Sequence, residues 1–84
     1  MQGWSNYITW NVYMWIKNNP EWYAQIEKEC LFGNESIFEK TERLKVLIQE
    51  LNPLAKQDTL FADLLSFGLD QVNWYELIEH FLKK

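Results

Sequence analysis

One cysteine, one histidine, three glycines and two prolines are all that this 84-residue chain offers of the residues that staple, ligate or turn a backbone sharply. A lone Cys30 builds no disulfide framework, and with His80 as the single imidazole no closed Cys/His zinc site is available. No glycine-rich loop exists to hold a phosphate, and Ser5, Ser36 and Ser66 lack the Gly-x-Ser-x-Gly setting of an activated serine. Basic charge is also short, with 8 Lys/Arg against 12 Asp/Glu and a net charge of −4, which argues against direct binding of nucleic acid or of an acidic membrane surface. No apolar run approaches the roughly 18 residues that cross a bilayer, and no basic-then-apolar leader opens the chain. A cytoplasmic location is therefore expected, in keeping with a single unpaired thiol. With no nucleophile–base pair and no ligand set in view, the expectation is a protein that is not an enzyme and holds neither cofactor nor metal.

Aromatic residues are what the chain has in excess: five Trp, four Tyr and five Phe make 17% of it, and hydrophobic residues reach 48%. A chain of this mass is expected to keep roughly 5,300 Å² of folded surface out of about 14,800 Å² unfolded, enough for one small core. The expected domain organisation is a single domain over residues 1–84.

The scarce Gly and Pro fall where helices would begin and end. Ser5 or Asn6 can cap a first helix running to about Asn18. Asn19 can cap a second, with Pro20 at its first position and an end near Phe32, where Gly33 suits a left-handed terminus. Ser36 with Glu39 makes a capping box for a third helix carrying Ile37, Leu44, Leu47, Ile48 and Leu51 up to Asn52-Pro53. Asp58 can cap a shorter fourth helix bearing Leu60, Phe61, Leu64, Leu65 and Phe67, with Gly68 as terminator. In the last helix Asn73 is the cap, Glu76 completes a capping box, Val72 and Leu77 form a hydrophobic staple, and Trp74, Leu77, Ile78, Phe81 and Leu82 share one stripe. No alternating run long enough to demand a strand is present. The predicted fold is all-α, a compact bundle of four to five short helices with the first and last near its centre.

On a helical wheel the first helix is apolar on two sides. Ile8, Val12, Trp15 and Ile16 form a core stripe, and Tyr7, Trp10, Tyr13 and Met14 lie opposite, with Lys17 among them. The second side is either buried in the middle of the fold or turned to a partner, since Trp and Tyr are favoured interface anchors. From Asp58 to Glu79 there are five acids, Asp58, Asp63, Asp70, Glu76 and Glu79, and no Lys or Arg. They read either as a solvated surface or as a patch aimed at a basic partner. His80 with Glu76 reads as a helical i,i+4 neighbour pair, Glu39 with Arg43 as another, and Cys30 as a core thiol whose neighbours Glu27 and Glu29 would raise its pKa.

The opening Gly3-Trp4-Ser5-Asn6-Tyr7, followed by Thr9-Trp10-Asn11-Val12 and Trp15-Ile16, resembles a family of short uncharacterised phage and prokaryotic proteins with the signature G-W-S-N-Y-x-T-W-N-V-x-x-W. Val72-Asn73-Trp74-Tyr75-Glu76-Leu77 is similar to that family's C-terminal pattern. The matched segments cover about 20 of the 84 positions. The resemblance carries no catalytic residue or cofactor. It implies a context, a small accessory protein of phage origin acting in the host cytoplasm, a class that includes inhibitors of host defence nucleases. Physically, the motif also makes sense as a folding signature, since Ser5 and Asn6 supply cap oxygens and Thr9 can reach back toward the cap as a weaker capping-box partner.

The function expected from these features is that of a small acidic protein-binding module. Tyr7, Trp10, Tyr13 and Met14 would be its anchors and the five acids its rim, and an anti-defence inhibitor of the anti-CRISPR kind is its most concrete form. The expected partner is a protein with a basic, nucleic-acid-binding surface. The alternative is a structural or self-associating helical protein, a homo-oligomer formed through the same aromatic face.

Overall fold

Five α-helices make up the computed structural model, which describes residues 3–53 and 58–83 and contains no strand among them. They are α1 (Tyr7–Lys17), α2 (Pro20–Ile26), α3 (Ile37–Leu51), α4 (Leu60–Asp70) and α5 (Trp74–Leu82), and α2 runs on into a π-helical turn, Glu27–Leu31. The all-α bundle expected from caps and periodicity is the observed fold.

Every helix starts on a side-chain oxygen. Asn6 Oδ1 accepts the Thr9 N–H at 2.8 Å, and Asn19 Oδ1 that of Trp22 at 3.2 Å, with Pro20 at the first helical position. Ser36 and Glu39 form the complete capping box. The fourth helix departs from expectation by one residue, since Thr59 and not Asp58 is the cap and accepts the Ala62 N–H at 3.1 Å. That phase puts Asp63 in the first turn, where its charge suits the positive end of the helix dipole. Gly68 does not end this helix either. It lies inside it, where a Cβ would come within 3.2 Å of Ile8 Cδ1, so its missing side chain lets α4 approach α1. Gly33, by contrast, adopts the left-handed φ of +115° just beyond the π turn, as its position suggested.

The core is built from Ile16, Ile26, Cys30, Leu44, Leu47, Ile48, Val72, Trp74, Leu77, Ile78 and Phe81. α5 lies at its heart with four buried residues among nine, and α3 provides its broadest neighbour. α1 packs on α2 and α5, whereas α4 makes no comparably extensive contact with any helix. Val72 and Leu77 are both buried, as a hydrophobic staple requires. Leu82 and Ile37, expected in apolar stripes, are more than one-third exposed at their helix ends.

The N-termini of α1 and α5 hold one another. Asn73 donates its backbone N–H to Thr9 Oγ1 at 2.9 Å, Asn6 Nδ2 donates to the Gln71 carbonyl at 3.0 Å, and Ser5 donates both its N–H and its hydroxyl to the Glu76 carboxylate, the latter at 2.7 Å. Two expected local roles are thereby replaced by long-range ones. The Glu76 carboxylate does not return to its own cap, and the Thr9 hydroxyl does not return to Asn6. Above this clasp Trp4 stacks on His80 with centroids 3.8 Å apart, and Tyr13 meets Trp4 and Phe81 at 4.8 and 5.4 Å. His80 is thus half-buried under an indole and is not a member of a solvated i,i+4 pair.

The clasp also sets the rotation of α1. Because Thr9 is pulled fully inside, the buried arc centres on Thr9 and Ile16, rotated by roughly 65° from the Ile8–Val12–Trp15–Ile16 stripe expected from hydrophobicity alone. Tyr13 turns inward and Trp15 turns out, 68% exposed.

Thr9→Val, which keeps shape and removes only the acceptor, should destabilise the protein by about 1–2 kcal/mol by stranding the Asn73 N–H. Asn73→Ala should cost about 1 kcal/mol through its cap. Urea denaturation followed by circular dichroism measures both, and an unchanged midpoint for Thr9→Val would show that the Thr9–Asn73 bond contributes nothing.

Candidate protein-binding surface

α4 is apolar at seven of its eleven positions, yet none of its residues is buried. With 3.6 residues per turn, Ala62, Leu65 and Leu69 share the edge toward the protein, and Asp63, Ser66 and Asp70 form a polar edge. Between them Leu60, Phe61, Leu64 and Phe67 stand in solvent, each at least 59% exposed. Four such side chains present on the order of 500 Å² of apolar surface, near the upper end of what monomeric proteins leave uncovered. The total surface, 5935 Å², exceeds the value expected for this mass by about 600 Å².

Beside this face an apolar groove of about 370 Å³ opens between α4 and the body. Val12 and Trp15 of α1, Trp22 of α2, Ile48 and Leu51 of α3, and Leu65 and Leu69 of α4 line it. α4 comes close to α1 where Gly68 faces Ile8, and the outward Trp15 stands at the wall of the groove.

The residues singled out as anchors separate in the structure. Tyr7 is exposed with its ring 5.4 Å from that of half-buried Trp10, and Met14 is half-buried in a shallow recess with Trp15 and Asn18. Tyr13 is packed against the core, with Lys17 Nζ 5.7 Å above its ring. Of the acids, Asp58, Asp63 and Asp70 are exposed, Glu79 is half-buried, and Glu76 is held by Ser5. Trp15, expected in the core stripe of α1, is outside it, and the sequence alone assigns no face to the apolar residues of the fourth helix. A helix this rich in Leu and Phe has more apolar surface than one packing face can cover, and that surplus was the available signal.

Glu29, Cys30, Glu35, Glu39, Lys40 and Arg43 line a polar recess. Arg43 pairs with Glu29 at 3.0 Å, and Glu39 is taken by its capping box in place of the expected i,i+4 pair with Arg43. Lys40, buried, donates to the carbonyls of Leu31 and Gly33 at 3.1 and 3.2 Å and so closes the carbonyl end of the π turn. No local sequence pattern announces that role, since the partners lie across the Gly33 turn. Burial, reinforced by Glu29, pushes the Cys30 thiol up to about 11 against the pull of Arg43 and Lys40. At neutral pH it is a protonated core group and not an activated nucleophile. Among the described residues no group of three His, Cys, Asp or Glu is placed to hold a metal ion, and no helix is long and apolar enough to cross a membrane.

A raised thiol pKa has a signed consequence. The unfolded chain releases the Cys30 proton from about pH 9.0 while the folded chain keeps it until about 11, so this contribution to stability is complete below pH 9 and is lost progressively between those values. Denaturation midpoints measured from pH 8 to 11 should fall more steeply for the natural protein than for Cys30→Ala, and parallel slopes would contradict the burial argument. No protein-family model matches the chain, and no curated protein or solved structure matches it either.

Proposed function

We propose that this chain is a small, acidic, non-enzymatic protein-binding module that docks through the outer face of α4. The observation that carries this reading is the helix itself, which is apolar over most of its circumference, buried nowhere, and exposes Leu60, Phe61, Leu64 and Phe67 in one stripe. Leaving that stripe in water costs roughly 25 cal/mol per Å², a cost that a partner surface removes. Large aromatic and leucine side chains beside an acidic edge provide anchors and a rim, the usual division of labour at an interface. Trp15 and Tyr7 add exposed aromatic surface on α1.

The narrower form of the proposal is a phage-encoded inhibitor of a host defence complex, anti-CRISPR-like, that occupies a basic nucleic-acid-binding surface. It rests on the N-terminal resemblance and on the acidic stretch 58–79. Within the motif, Ser5, Asn6 and Thr9 already have a structural purpose in the clasp, so the part of the protein that would act on a partner lies elsewhere, on α4. Self-association through the same stripe is the second reading, favoured by the apolar character of the exposed face.

A photo-crosslinking residue placed at Phe61 should yield an adduct of defined mass in cells that contain the natural target, whereas the same residue at Lys28, exposed on the π turn, should not. Adducts at both positions, or at neither, would overturn docking through α4. An adduct of twice the chain's mass would assign the face to a second copy.

A further inference from the structure

The two edges of the α4 stripe are unlike. One edge, Ala62, Leu65 and Leu69, turns toward the protein and the groove. The other carries Asp63 and Asp70, both exposed and seven residues apart, which places them two turns apart on the same side. Asp58 precedes the helix, and no Lys or Arg occurs from residue 58 to 79 to neutralise this edge. The stripe Leu60, Phe61, Leu64 and Phe67 is about two turns long, matching the i, i+3/i+4, i+7 anchor spacing by which one amphipathic helix reads another.

We infer that the face is built for a basic amphipathic helix of the partner, about three turns long, whose apolar stripe lies along α4 and whose Lys or Arg residues flank it on the Asp63–Asp70 side. This rests on the protein-docking function above and names the chemistry of its partner. Charge decides between occupants. A second copy laid antiparallel on α4 about a two-fold axis would set Asp63 and Asp70 against Asp70 and Asp63, four carboxylates with no cation among them, and like charges across an interface oppose pairing. A helix with basic residues at those positions turns the same geometry into two favourable pairs. A lipid surface is the weaker fit, because amphipathic helices that lie on membranes carry Lys and Arg on their polar face, whereas α4 carries Asp.

Two synthetic 14-residue helices test this on the whole chain, identical in their two-turn leucine stripe and carrying either Lys or Glu along one flank. By fluorescence anisotropy the Lys-flanked peptide should bind at least about tenfold more tightly than its Glu twin at low salt, and the difference should shrink toward parity near 1 M salt, where screening acts within about 3 Å. The double change Asp63→Lys, Asp70→Lys should reverse the preference. Leu64→Ser with Phe67→Ser should abolish binding of both peptides while leaving helicity intact, as expected for exposed positions. Equal binding of the two peptides, or a preference that survives the Asp63/Asp70 reversal, would overturn the proposal. So would a stable dimer in sedimentation that Leu64→Ser dissolves, or tighter binding to phosphatidylcholine vesicles than to either peptide. An adduct at position 61 with no preference for the Lys peptide rejects only the partner's chemistry. Absence of both rejects the docking function as well.

Discussion

The hydrogen bond from the Asn73 N–H to Thr9 Oγ1 organises more of this molecule than any other single contact. It ties the starts of α1 and α5 together, fixes the rotation of α1, and brings Ser5 and Glu76 within bonding distance beside it. With α1 in that rotation Tyr13 faces Phe81, and Trp4 can cover His80, so the aromatic stack follows from a hydroxyl. The same rotation expels Trp15 to the rim of the groove. A buried threonine therefore sets both the inside of the fold and part of its outer surface.

Local code was readable because it depends on neighbours in the chain. The Ser36–Glu39 box, the Asn19-Pro20 start, the Asn73 cap and the left-handed Gly33 all follow from residues within four positions of one another. What could not be read are choices among equivalent local options that distant residues decide. Thr9 had a local partner and took a remote one, Glu39 preferred its cap to Arg43, and Arg43 in turn reached Glu29. The candidate surface was missed for a related reason. Hydrophobicity says that Leu60, Phe61, Leu64 and Phe67 prefer to be covered, but only the packing of α4 against α1 reveals that this chain does not cover them.

The chain's many aromatics divide accordingly. Trp74, Phe81 and Tyr23 serve the core, Trp4 and Tyr13 seal the clasp, and Tyr7, Trp15, Phe32, Phe38, Phe61, Phe67 and Tyr75 face outward. Two of these outward aromatics, Phe61 and Phe67, share the outer face of α4 with exposed Leu60 and Leu64. That grouping with two leucines on one helix, rather than the overall aromatic content, is what gives the proposed surface its direction.

The thin attachment of α4 also bears on how the fold opens. A helix held by a half-buried edge, with Gly68 beside Ile8, has little apolar area to lose on detaching, so it is expected to open at lower cost than the whole domain. α5, with Leu77 and Ile78 fully enclosed, is expected to exchange its central amide hydrogens most slowly. On this packing the chain should open in two steps of unequal cost. A helix bound along α4 would add its own contacts to the part that opens more easily, raising local stability where the fold itself supplies least.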